Sequence, residues 1–408
     1  MDDQPVILVL NAGSSSLKFS VYPGGGGQEL WQAHARGQID GIGSHPRFSA
    51  TDAAGKTIDW PLGPEVSDAQ AALQALGVWL RESFAGARVV GVGHRVVHGG
   101  PRHAAPAVVT PKLLDELRTL IPLAPLHQPY NLAAIDAVAE RLPDAPQVAC
   151  FDTAFHRGHH AVADLVPLPS KIRRTGVRRY GFHGLSYEYV ASVLPQVAPE
   201  IAQRRVIVAH LGSGASLCAM ERGKSVDSSF GFTALDGLCM GTRPGAIDPG
   251  VVLYLFQALE LSPKEVEGVL YKKSGLLGVS GISNDMRVLL GSNESGARLA
   301  VDYFVYQAAK QIGGLAAVMG GMDALVFTAG IGENSAEIRE RICKASAWLG
   351  VDIDRDANGR NASRISTPGS RASAWVVKTN EELMIARHTG LLLGLVDRRS
   401  CATGAVAS

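Results

Sequence analysis

Two stretches of this chain that start 200 residues apart, "VILVLNAGSSSLKFSV" from Val6 and "VIVAHLGSGASLCAM" from Val206, carry the same pattern. Each reads as an apolar strand, a Gly/Ser turn, the pair Ser-Leu and a second strand. One such hairpin fits many folds. Two, aligned without a gap, predict a chain built from two similar halves, each opening on the hairpin, with a ligand held where two donor-lined turns converge. The first turn, Asn11-Ala12-Gly13-Ser14-Ser15-Ser16 with Lys18 just beyond, suits an ordinary polar hairpin and a phosphate cradle equally well.

Length and charge agree with two lobes and a small ligand. The 408 residues exceed what one core ordinarily supports, and 46% of them are hydrophobic, enough to fill two. With 39 basic and 38 acidic residues the net charge is +1, which argues against nucleic acid or a membrane surface as partner. The acidic start "MDDQPVILVL" is unlike a secretory signal, and no apolar run reaches the roughly 18 residues of a membrane span, so a cytoplasmic location is expected. Cys150, Cys218, Cys239, Cys343 and Cys401 form no C-x-x-C pair and are expected to be packing residues in a reducing compartment.

Helix and strand signals alternate. Ser67 is placed to cap a helix running toward Glu82, Thr110-Pro111 opens another, Ser262-Pro263-Lys264-Glu265 has the form of a capping box, and 296–319 is the longest helical pattern. Short apolar runs at 89–92, 148–151, 206–209, 324–328 and 375–377 fall between helical segments, which predicts an α/β fold.

Three Gly-rich turns could face an anion: the opening one, "HLGSGAS" at 210–216, and "TAGIGENSAEI" at 328–338, where Asn334 is placed to cap a helix with Glu337 three residues on. None is a Walker A loop. Arg95 lies between valine runs in "GVGHRVVHGG", and Arg243 lies in the uncharged "LCMGTRPGAIDPG". A salt bridge is the ordinary state of such arginines, but two in apolar surroundings favour guanidinium clamps on carboxylate or phosphate. Asp152 ends a strand in "FDTAFH", where open α/β sheets place ligand contacts. His183 stands between glycines in "RYGFHGLSYEYV", and His127 lies in "APLHQPYN". The cluster "HRGHH" at 156–160 lacks metal-ligand spacing and is expected at the surface.

Taken in order with "GHRVVHGG", "DSSFGFTALDGLCMGTRPGAIDPG", "SGISNDMR", "FTAGIGENS" and "TNEELMIARHT", these motifs resemble those of the acetate kinase family over nearly the whole chain. The resemblance implies a duplicated, ribonuclease-H-like/actin-like α/β fold with a central interdomain cleft, and a homodimer that transfers the ATP γ-phosphoryl group reversibly to acetate. It implies domains at 1–151, completed by a C-terminal helix over 384–397, and at 152–383, with a tail at 398–408. Asn11, Ser14, Ser16, Arg95, His127, Asp152, His183 and Arg243 fall on the family's catalytic and phosphoryl-contacting positions. Asn11 and Glu381 fall on those assigned to Mg²⁺, for which Mn²⁺ could substitute. Lys18, His210, Gly212, Ser213, Gly214, Asp285, Arg287, Gly330, Ile331, Gly332 and Asn334 match the nucleotide and phosphate side. Val97, Leu126, Phe182 and Ala234 match the pocket for the acyl methyl. Two departures stand out: Ser213 where the family usually has Asn, and Ala234 where it usually has Pro, which bear on nucleotide affinity and acyl chain length.

The chemistry fits these residue types. A carboxylic acid of pKa about 4 to 5 is already ionised at neutral pH, so the nucleophile needs no base. The obstacle is like-charge repulsion, which Arg95, Arg243, Mg²⁺ and a hydrogen bond from His183 would offset, with Asp152 orienting the metal or its waters. A propionate or butyrate kinase is the near alternative, and an actin-like or Hsp70-like ATP-binding protein without transferase activity the distant one.

Overall fold

The computed structural model describes residues 4–25, 31–84 and 86–397. The chain divides into two compact units. The first runs from the N-terminus to Ala154 and resumes at Asn380; the second is Phe155–Thr379.

The first unit holds strands β1 (Gln4–Ala12), β2 (Ser16–Pro23), β3 (Ala35–Asp40), β4 (Arg47–Asp52), β5 (Thr57–Trp60), β6 (Ala87–Val96), β7 (Ala107–Val108) and β8 (Gln147–Phe151), ordered β5-β4-β3-β2-β1-β6-β8-β7. The second holds β9 (Arg205–Leu211), β10 (Ala215–Glu221), β11 (Lys224–Ser228), β12 (Ala324–Thr328) and β13 (Ser373–Val376), ordered β11-β10-β9-β12-β13. In both sheets an antiparallel meander precedes two parallel strands: β3-β2-β1 then β6 and β8 in the first, β11-β10-β9 then β12 and β13 in the second. The two stretches aligned in the sequence are β1–β2 and β9–β10, so the same hairpin opens the same sheet twice.

Val6, Ile7, Leu8, Val9 and Leu10 are all buried. A strand apolar on both faces needs cover on both, and helices Gln128–Arg141 and Glu381–Leu392 both pack against β1 and β6. The second helix comes close because β6 carries Gly91 and Gly93: a β carbon at Gly93 would lie 2.3 Å from Thr389 Oγ1. Trp79 packs on Phe19 and Phe48 at 5.1 Å each beneath the meander. Each such fully buried side chain contributes about 1.5–3 kcal/mol as an upper estimate.

Local signals were read with mixed success. The apolar runs at 89–92, 148–151, 206–209, 324–328 and 375–377 fall in or at the end of β6, β8, β9, β12 and β13, Thr110 caps Pro111–Arg118, and the Ser262–Glu265 capping box is present. The helix expected from Ser67 is capped one residue later by Asp68, which accepts from Ala71 N at 2.8 Å. The stretch 330–332 lies within a short helix, Ala329–Asn334, and the next helix is capped by Ser335, not Asn334. Asn334 instead donates to Gly330 O at 2.9 Å. Both joints between units differ from the expected boundaries. Asp152 stays with the first unit because its N–H donates to Val96 O and extends the β6–β8 ladder, and Glu381 does so because its helix is laid on β6. Cys150, Cys218, Cys239 and Cys343 are buried and form no disulfide among the described residues, and burial pushes the thiols of the last three up to about 12. Cys401 and the expected tail from 398 lie outside the described residues.

Candidate active site

In the first unit the site residues gather at the carboxyl ends of β1, β6 and β8, where open α/β sheets hold ligands. Arg95, one residue before the end of β6, donates from Nε to both oxygens of Asp152 at 3.0 and 3.1 Å and from Nη2 to Oδ2 at 2.6 Å. Its Nη1 lies 3.5 Å from Glu381 Oε2. The buried Asp152 and the half-buried Glu381 thus share one guanidinium. Burial pushes the Glu381 carboxyl up to about 7, Arg95 and Lys18 opposing, Asp152 and Glu382 reinforcing. Burial also disfavours the Arg95 charge, but Asp152 and Glu381 more than restore it.

Asn11 lies at the end of β1, paired with the exposed Lys18, and Ser14 is exposed in the turn, which Gly13 N closes on Ser16 O at 2.7 Å. Asn131, which the sequence did not single out, ties these strands together. It donates to Ala12 O at 2.8 Å and accepts from Val97 N at 3.0 Å. His127 is the N-cap residue of helix Gln128–Arg141, so it sits one turn before Asn131. Val97 is buried and Leu126 half-buried.

In the second unit the β9–β10 turn is the organising element. Gly214 has no side chain for a reason: a β carbon there would lie 2.8 Å from Arg243 Nη2 and 3.3 Å from His183 Nε2. Arg243 Nη2 and His183 Nε2 therefore both lie close against Gly214, on the side a β carbon would occupy, which brings two nitrogens suited to an anion to the same side of the turn. Arg243 donates to Ala234 O at 2.7 Å and, among the described residues, pairs with no carboxylate. Burial alone depresses it to about 10. Ala234, placed in the acyl pocket by resemblance, thus also holds Arg243 through its carbonyl.

His183 adopts φ 58°, a left-handed conformation costing about 1–3 kcal/mol in a non-glycine residue, at the N-cap of Gly184–Val197. Its ring stacks on His210 with centroids 4.0 Å apart and meets Phe230 edge-on at 5.3 Å. Phe182, fully buried, packs edge-on against the same Phe230 at 5.5 Å. His210 Nδ1 shares a hydrogen bond with Ser186 Oγ at 2.8 Å, and Thr379 Oγ1 donates to that serine at 2.9 Å.

The nucleotide-side candidates lie around the same turn. A β carbon at Gly212 would lie 3.8 Å from Ala329 Cβ and 4.0 Å from Gly330 N, and Gly241 N donates to Ser213 O at 3.0 Å. Gly241 also abuts Asn284, which brings the Asp285–Arg287 segment alongside. Asp285 caps the following short helix and takes the exposed Arg287 guanidinium at 2.6 Å, whose hydrogen bonds lower its carboxyl to about 2. Ile331 is half-buried and Gly332 buried in the Ala329–Asn334 helix. Glu333, absent from the sequence candidates, fixes that helix: its Oε1 accepts from Ala329 N at 2.8 Å and Thr379 N at 3.0 Å. Arg339 donates to Gly332 O at 3.0 Å from beneath.

The "HRGHH" cluster meets the expectation of a surface position only at His160, which is exposed; His156 and the His159 side chain turn inward. His156 is buried, sharing hydrogen bonds with Ser225 Oγ at 2.8 Å and with Phe182 O at 2.9 Å, and His159 reaches the same serine at 2.6 Å. Two polar partners make burial of His156 tolerable, and nothing in the local spacing shows them because Ser225 lies on β11.

The model of the Acetokinase family matches residues 6–387. An acetate kinase of Nitrobacter hamburgensis is 54% identical over 398 residues, 97% of each chain. Among solved structures, a propionate kinase from Francisella tularensis superposes with a TM-score of 0.86 at 37% identity, covering 95% of this chain and 99% of that one. Porphyromonas gingivalis acetate kinase gives 0.82 at 35%, covering 95% and 100%. Sequence and fold coincide over almost the full length, on a chain whose two sheets repeat one actin-like plan: it belongs to the acetokinase family.

Proposed function

We propose that the protein transfers the γ-phosphoryl group of ATP to acetate, giving acetyl phosphate and ADP, reversibly and by direct in-line displacement. The acetate oxygen bonds to the γ-phosphorus as the bond to the bridging oxygen of ADP breaks. The observation that carries this reading is the pair of nitrogens beside Gly214: a half-buried guanidinium that pairs with no carboxylate among the described residues and an imidazole nitrogen, on the same side of the turn. Two such groups suit the equatorial oxygens of a transferring phosphoryl group.

Asp152 is not needed as a base, since acetate arrives ionised, and its two oxygens are already occupied by Arg95. Arg95 bridges Asp152 and Glu381 and is proposed to meet the acyl carboxylate with its remaining donors. Val97, Leu126, Phe182 and Ala234 are proposed to face the methyl group, and Ser14, Ser16, Lys18, His127, His210, the 212–214 turn, Asp285, Arg287 and the 330–334 helix to serve phosphate and nucleotide.

Mg²⁺ fits the residues present. Among the described residues no three His, Cys, Asp or Glu side chains form a metal cluster, but Asn11, Asp152 and Glu381 offer oxygen donors only. The ion ordinarily takes one or two carboxylates and completes its shell with water and phosphate oxygens. Glu381, pushed toward neutrality by burial, would be relieved by a cation. Bound there, Mg²⁺ would offset the charge between two anionic substrates.

Propionate is a second reading, carried by Ala234 in place of the usual Pro and by the named propionate kinase among the structural relatives. A homodimer is proposed from the helix Pro249–Gln257, none of whose residues is buried, and these substrates suit a cytoplasmic protein. Among the described residues no helix is long and apolar enough to cross a membrane. Trapping acyl phosphate as hydroxamate with acetate, propionate and butyrate, with and without Mg-ATP, tests the reaction. No trapped product with any acid would refute it.

A further inference from the structure

Behind His183 lies a short hydrogen-bonded line whose direction can be deduced. His183 Nδ1 is 2.8 Å from Ser216 Oγ, and the Tyr187 hydroxyl is 2.5 Å from the same oxygen. Ser216 and Tyr187 are both fully buried, Ser216 on β10 and Tyr187 in the first turn of the helix that His183 caps. Ser216 owns a single proton, so it can donate toward one of these neighbours and must accept from the other.

Donor and acceptor strengths choose between the two directions. A phenol is a much stronger acid than an aliphatic alcohol, and an unprotonated imidazole nitrogen is a much stronger acceptor than a phenolic oxygen. Tyr187 donating to Ser216, and Ser216 to His183 Nδ1, matches the best donor to one end and the best acceptor to the other, and each bond polarises the next. The reverse line would begin at a weak donor and finish on a weak acceptor. We propose that Ser216 and Tyr187 are positioning residues that hold the His183 imidazole in its Nε2–H tautomer.

The consequence falls beside Gly214, where His183 Nε2 and Arg243 Nη2 lie, and only there does it rest on the phosphoryl-transfer reading above. Nε2 with its proton joins Arg243 Nη2 as a second donor; in the other tautomer a lone pair would face the anion instead. The ring cannot swing to compensate. It is stacked on His210 and edged by Phe230, and its backbone is fixed at both sides, by Phe182 O sharing a hydrogen bond with His156 Nε2 and by His183 O accepting from Tyr187 N at 3.1 Å.

Nitrogen-15 spectra of the free protein labelled at histidine, recorded at mildly alkaline pH where imidazole is neutral, read the tautomer directly. The His183 signals are assigned by their loss in His183→Gln. The wild type should show a protonated Nε2 and a pyridine-like Nδ1. Ser216→Ala should give a mixture of tautomers, with kcat down about tenfold and the acetate KM nearly unchanged, since a donor present only part of the time is lost mainly from the transition state. Tyr187→Phe should shift the signals in the same sense and less far. A protonated Nδ1 in the wild type, or Ser216→Ala spectra identical to wild type, would overturn the proposal. If either variant does not fold, the wild-type spectrum alone still decides it. Because no substrate is present in the spectra, failure of the wild type to make acetyl phosphate would count against the reaction and not against the tautomer.

Discussion

Arg95 and Arg243 have the same side chain and opposite electrostatic surroundings. Arg95 neutralises Asp152 and lies against Glu381, whereas Arg243 has a carbonyl for company. Removing them should therefore do different damage. Arg243→Ala should lower kcat about 10²–10³-fold, the usual loss for a donor aimed at developing charge, while the melting temperature barely changes. Arg95→Ala should in addition lower the melting temperature, because it leaves buried carboxylates unpaired, a situation that costs about 3–5 kcal/mol. Equal melting temperatures for the two variants would contradict this contrast. From the sequence both arginines looked like anion clamps, and the partner of Arg95 was invisible because Asp152 is 57 positions away and reaches it only through the parallel β6–β8 pairing. His156 shows the same limit, and its burial leads to a pH dependence. Burial holds it neutral, lowered from 6.5 to about 3. An unfolded chain binds a proton there below about 6.5 and the folded one does not, so this stability is present above that pH and is lost as the pH falls toward about 3. His94, lowered by burial to about 4, acts in the same direction. Urea midpoints measured across this range should fall with pH, and fall less steeply in His156→Gln; an equal slope would show that His156 titrates normally.

Among elements, the hairpins were the most legible and the strand-to-helix turns the least. Continuous apolar runs broken by Gly and Ser specify a hairpin locally, and both turns form where the sequence places them. The meander strands β3, β4 and β5 carry no clear apolar signal because β3 and β4 mix exposed and buried positions in a short span and β5 has no buried position at all. The 328–338 segment misled for another reason. Its two helices meet at Ser335, and the first begins at Ala329 with φ 65°, a left-handed start that Glu333 secures from four residues ahead. Nothing in the spacing of glycines announces that. The loop through Ala234 connects its resemblance-based role with its observed one. Proline at this position would retain the carbonyl that holds Arg243 while stiffening the loop and filling space. In Ala234→Pro the ratio of propionate to acetate kcat/KM should fall roughly tenfold, in the range one methylene commands in an apolar pocket. A ratio that does not move would show that residue 234 positions Arg243 and does not line the acyl site.

For the whole molecule the remaining question is what covers the helix Pro249–Gln257. Its sequence, PGVVLYLFQ, carries no charged residue and is apolar nearly all round, the pattern of a helix covered on every side. Yet none of its residues is buried in the single chain: Leu253 and Tyr254 are 56% and 57% exposed, with Val251, Phe256, Leu259 and Ile247 also open. Monomeric proteins seldom leave a contiguous apolar face of more than a few hundred Å² in water, and a stable pairing of identical faces buries about 1,200–2,000 Å² in total. A second copy offering the same helix supplies like surface by symmetry, without a different partner. Light scattering coupled to size exclusion should thus find a dimer at micromolar concentration, and Leu253→Asp with Tyr254→Asp should convert it to monomer. Both side chains are exposed, so the double variant should keep its far-ultraviolet dichroism, which separates loss of pairing from loss of fold. A wild type that runs as a monomer at that concentration, or a double variant that stays dimeric, would move the interface away from this helix.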